Sequence, residues 1–146
     1  MNIEVKHPVA LVTVFIWVGF LCAISFMEAW LKFDAPGVTL SIGLQVTRLI
    51  FNTLNKIEWV FALIIFTHFF LDEVRIYELR SILYFIPLIF LIIQTFVILP
   101  ALNARVEMHI QGEEVAESVI HLQYVDMEIV KVILLLGYGL WQFKLS

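Results

Sequence analysis

The stretch Val119–Phe143, VIHLQYVDMEIVKVILLLGYGLWQF, decides the fold. It is apolar overall and long enough to cross a membrane as a helix, for which about 20 residues suffice. Its polar residues are ordered. His121, Tyr124, Glu128 and Lys131 recur at spacings of three and four, which places them on one helical face. Tyr138 extends the stripe. Ionisable side chains are costly against lipid, so the stripe must face protein, and other helices must be there to meet it. Two readings of it stand. Glu128 and Lys131 pair with each other as a structural contact, or a carboxylate and an imidazole are presented to a ligand, a metal or a proton.

The partners are three further apolar runs, Val9–Trp30, Ile57–Leu71 and Ser81–Leu99. The chain has 146 residues, of which 62% are hydrophobic and 15% charged; its mean hydropathy is +0.96. Soluble domains hold roughly 45–50% apolar residues. The expectation is an all-α fold: a four-helix transmembrane bundle forming a single integral membrane domain over 1–146, with helices at about 9–32, 38–71, 81–100 and 119–143. The protein is thus expected to be multi-pass, with the lipid bilayer as its first partner. The formal charge of −4 and the lack of a basic patch argue against nucleic acid.

The boundaries follow from turn chemistry. Pro8 suits the first turn of a helix, and Asp34-Ala35-Pro36-Gly37 is a turn signal. The first run has bulky residues where a cleavage site would need small ones, so it reads as a retained helix. Between Val38 and Asn55, Gln45, Arg48, Asn52 and Asn55 recur at helical spacing. The second helix therefore carries an amphipathic N-terminal extension, unless it breaks at Gly43. The third helix contains Pro87 and is expected to end near Pro100, followed by a polar loop. Orientation is evenly balanced: Lys6, Arg75, Arg80 and Lys144 lie on one side, and Lys32, Arg48, Lys56 and Arg105 on the other. The short loop holding Arg75 and Arg80 favours both termini in the cytoplasm.

With this topology Glu28, Glu58, His121 and Glu128 gather at one membrane face. Tyr124 and Lys131 belong to the same set, and Arg48, Asn52 and Asn55 could line its mouth. A metal could use Glu28, Glu58, His121 and Glu128, which partly match a di-metal carboxylate bundle. The match is incomplete: Glu117 and His121 are four apart, and the third helix offers no ligand pair. Haem would need His68 and His121, which lie toward opposite ends. The bland alternatives are a Glu28–Lys32 surface pair, an interfacial Glu58 and a solvated Arg48 face. Gln94 reads as an interhelical hydrogen-bonding residue. No nucleophile elbow, phosphate loop, cysteine pair or zinc-protease motif occurs, so whether the chain is an enzyme stays open.

Three segments together resemble a known group. They are Gly19–Glu28, the stretch Arg48-Leu49-Ile50-Phe51-Asn52-Thr53-Leu54-Asn55, and Leu99-Pro100-Ala101-Leu102-Asn103-Ala104-Arg105 followed by His121–Lys131. Their order is similar to that in small four-helix integral membrane proteins of the transmembrane-protein-205-like kind, which include uncharacterised bacterial members. The resemblance implies a four-helix membrane fold, with a bacterial-type inner membrane as the expected location, and no chemistry.

The functional expectation is a polar, carboxylate- and histidine-lined cavity at one membrane face that binds or transports a small ligand, an ion or a proton. The alternatives are a membrane-embedded metal or haem redox protein and a structural or assembly subunit of a membrane complex. A carrier of this size would need to form a homodimer or find a complex partner, because alternating access uses two repeats or bundles.

Overall fold

The computed structural model describes residues 3–71, 78–116 and 119–145. Four continuous helices run antiparallel in sequence: Pro8–Asp34, Leu40–Leu71, 79–110 and Ile120–Leu140. The first packs on the second and fourth, and the third on the fourth and second, which closes a four-helix ring. The first three are long and apolar enough to cross a membrane.

The helix ends have local causes. Pro8 opens the first helix. Gly37 turns the chain at φ +84°, a conformation that glycine adopts without a steric penalty. The Thr39 hydroxyl accepts the Ile42 N–H at 3.3 Å and caps the second helix. That helix does not break at Gly43. The Phe33 ring occupies the place a β-carbon would take there, so the glycine permits close approach of two helices. At 32 residues the second helix is roughly 48 Å long, which exceeds the ~30 Å hydrocarbon core. Its first turns form the amphipathic extension.

The third helix departs from expectation. It does not stop near Pro100 but continues to Ile110, where a loop had been expected. Gln94–Ile98 widens to π-helical geometry just before the proline. The wider ladder accommodates a residue that has no N–H and whose ring would clash with an α-helical carbonyl. The true end is a Schellman motif: Glu113 N–H donates to the Met108 carbonyl and Gly112 N–H to that of His109, with Gly112 at φ +77°.

The fourth helix ends at Leu140, so Phe143 is not helical as expected. Phe143–Leu145 is a strand antiparallel to Ile3–Val5, with Val5 opposite Phe143. This short ribbon holds the two ends of the chain together on one side of the bundle. Of the segments discussed above, Arg75 and Glu117 lie outside the described residues.

The packing buries a few polar groups within an apolar core and turns further apolar side chains outward. Ala10, Val14, Leu21, Leu54, Ile65, Leu91 and Leu135 form the core, yet Glu58, Gln94, Glu128 and Lys131 are also fully buried. Ile16, Leu63, Phe70, Ile89, Phe96 and Ile133 face outward. Lipid tolerates this arrangement where water would penalise it. Even the outward hydroxyls of Thr53 and Thr67 are satisfied, each donating to the carbonyl four residues earlier at 2.8 Å.

Candidate functional site: a buried charged centre

The site is built around Lys131. Its ammonium donates to Glu58 Oε2 at 2.5 Å and to Gln94 Oε1 at 2.6 Å, and it pairs with Glu128 Oε1 at 2.8 Å. All three ammonium donors are thereby used. The Trp17 indole N–H donates to Glu58 Oε2 at 2.9 Å. Gln94 Nε2 donates to Glu128 Oε1 at 2.7 Å, and the Ser25 hydroxyl donates to Glu128 Oε2 at 3.3 Å. All four helices contribute.

Two irregular turns carry two of the neutral members, Ser25 and Gln94. Ser25 lies in the π-helical turn Cys22–Glu28, and Gln94 opens the second such turn, Gln94–Ile98. A π turn rotates the side chains that follow it relative to an α-helical register, and such turns are often found at functional sites. Here both place a polar group on the same carboxylate, Glu128.

The charges do not balance. Glu58, Glu128 and Lys131 are each 0% exposed. Two carboxylates face one ammonium, and Glu58 Oε1 has no hydrogen-bond partner among the described residues. One turn earlier on the same face, Asn55 is also buried and its Nδ2 lacks a partner, while its Oδ1 accepts from the Thr95 hydroxyl at 3.0 Å. Thr95 in turn accepts the Trp59 indole N–H at 2.9 Å. Uncompensated buried charge is expensive.

The centre lies well inside the bundle. Trp17 lies roughly 13 Å along its helix from Pro8, and Lys131 about the same from Leu140. The first apolar run ends near Glu28, but the residue that levels with Glu58 is Trp17.

Of the expected site residues not yet placed, Tyr124 adjoins the centre, its carbonyl accepting from Gln94 Nε2 at 3.5 Å, and the others lie elsewhere. Glu28 pairs with Lys32 at 3.5 Å. Tyr124 is fully buried and stacks on Phe51 at 4.6 Å; His121 stacks on the same ring at 6.1 Å. Asn52 and Asn103 exchange amide hydrogen bonds of 2.9 and 3.3 Å between the second and third helices. Arg48 pairs with Glu107 at 2.9 Å on the exposed side. Among the described residues no group of three or more His, Cys, Asp or Glu is placed to hold a metal ion, so Glu28, Glu58, His121 and Glu128 do not form the metal set considered above. His68 lies against His7, with ring centroids 5.0 Å apart, while His121 is at the other end of the bundle.

Sequence reading missed Trp17. A signal existed: Trp30, Trp59 and Trp141 lie near predicted boundaries, but Trp17 falls in the middle of a run. A buried indole N–H usually finds an acceptor. No family model, curated protein or solved structure matches the chain.

Proposed function

We propose that this chain is a multi-pass membrane protein, of a bacterial-type inner membrane, that binds a proton or a small monovalent cation at the Glu58–Glu128–Lys131 centre. The observation that carries this reading is the charge count: two fully buried carboxylates against one fully buried ammonium. The group is one positive charge short in a medium that disfavours net charge. Among the described residues Glu58 Oε1 has no hydrogen-bond partner, and the Asn55 amide, also without one at Nδ2, lies one turn away along the same face. Intramembrane carboxylates of this kind serve proton relays and ion pathways.

A second reading has its own support. Lys131 is saturated by Glu58, Gln94 and Glu128, which would suit a lock that fixes helix register in a structural subunit. Infrared difference spectra of the purified protein in nanodiscs, across pH and with sodium or potassium, separate the two. The binding reading expects a carboxyl band that responds to pH or cation and disappears in Glu58→Gln or Glu128→Gln. Spectra that respond to neither, in a folded protein, would leave the register lock.

A further inference from the structure

A second site lies at the opposite end of the bundle from the paired strands. The extension of the second helix, the last turns of the third and the start of the fourth enclose a pocket of about 330 Å³. That volume is within the range of ligand sites. Its floor is apolar, with Leu44, Phe51, Leu102 and Val106. Arg48, Arg105, His109 and His121 also line it, and among the described residues no Asp or Glu does, the nearest being Glu107 in its pair with Arg48. In a chain with a net charge of −4, this is a local concentration of cationic and hydrogen-bond-donating groups over a greasy base.

We infer that this pocket binds a single-chain amphiphile with an anionic head, a carboxylate or a phosphate. Three observations converge. The size suits one acyl chain better than two. The position, where the helices leave their apolar runs, is the depth at which such a molecule keeps its chain in lipid and its head near water. The charges match: an arginine fork suits carboxylate and phosphate oxygens. The arginines are held in ways a head group can exchange. Arg48 is engaged by Glu107 in an exposed pair of the kind that contributes little. Arg105 donates to the carbonyl of Ala116, which also lines the pocket. Phe51 forms the wall toward the buried centre through its stack on Tyr124, but the inference does not depend on the charge count there.

The test uses the full-length protein in amphipol and a fluorescent polyene fatty acid, with displacement by palmitate, by lysophosphatidate and by hexadecanol. The probe should bind saturably. Palmitate and lysophosphatidate should both displace it, their ratio telling which head group is preferred, and hexadecanol should do so poorly. Arg105→Gln should weaken binding roughly tenfold or more, as loss of a charge-assisted hydrogen bond does. Leu102→Trp should fill the floor and abolish binding. Glu58→Gln, which disables the buried centre, should leave it unchanged. Equal displacement by hexadecanol, or full binding by a folded Leu102→Trp protein, would overturn the inference. The first would mean a greasy surface without a head-group site, and the second a probe bound elsewhere.

Discussion

Trp17 and Lys131 meet on the same oxygen. Both donate to Glu58 Oε2, from 2.9 and 2.5 Å, while the other oxygen of that carboxylate has no hydrogen-bond partner among the described residues. One half of Glu58 is therefore fixed by two helices, and the other half is the one available for exchange.

Removing the indole donor should loosen the fixed half. Trp17→Phe keeps most of the buried ring but leaves Oε2 with Lys131 alone, which should cost about 1–3 kcal/mol. Trp30, 77% exposed, is the control: Trp30→Phe should change little. Thermal unfolding of both variants in one detergent checks this, and equal midpoints would deny the Trp17 bond any importance.

The charge count makes an asymmetric forecast. Lys131→Met strands two buried carboxylates and should destabilise by about 3–5 kcal/mol. Glu58→Gln and Glu128→Gln each leave one acid facing Lys131, so each should be much milder. The double variant strands the ammonium and should again be severe. If either single acid variant were as damaging as Lys131→Met, the centre would not be one positive charge short.

Helix spacing offers a test away from the charges. A β-carbon on Gly139 would lie 3.3 Å from Val14 and Phe15, where the first and fourth helices cross; on Gly19 it would meet nothing within 4 Å. Gly139→Leu should cost about 1–3 kcal/mol through overpacking, and Gly19→Leu should be tolerated. Equal unfolding midpoints would mean that the two helices are not closely packed there.

Topology can be read by labelling. In a Cys22→Ser background, single cysteines at Lys6 and Phe143 should react with an impermeant maleimide from one side, and those at Pro36 and Gly112 from the other. Labelling of Gly112 together with Phe143 would break the four-crossing arrangement.

Much of the fold was legible in local terms. Apolar run length set the number of helices, the Asp34–Gly37 turn and Gly112 marked reversals, and the three- and four-residue spacing of Tyr124, Glu128 and Lys131 showed that one face of the last helix needed partners. These are properties of a residue and its near neighbours on the chain. The extent of the third helix was less legible. Pro100 reads as a stop, yet the helix passes it after the π turn at Gln94–Ile98 and runs on to Ile110.

The sequence by itself determined that this is a helical membrane bundle with acids, a lysine and a glutamine at membrane depth, because helical period and the cost of exposing charge to lipid are local constraints. Only the tertiary structure decided which of those groups meet. The levels of antiparallel helices depend on how far each extends before it turns, so Glu58 came to lie beside Trp17 and not beside Glu28, and His121 went to the pocket end and not to the charged centre. Two widened turns, at Cys22–Glu28 and Gln94–Ile98, carry Ser25 and Gln94, whose side chains both reach Glu128. Such register choices are fixed by packing between helices, which no single stretch of the chain encodes.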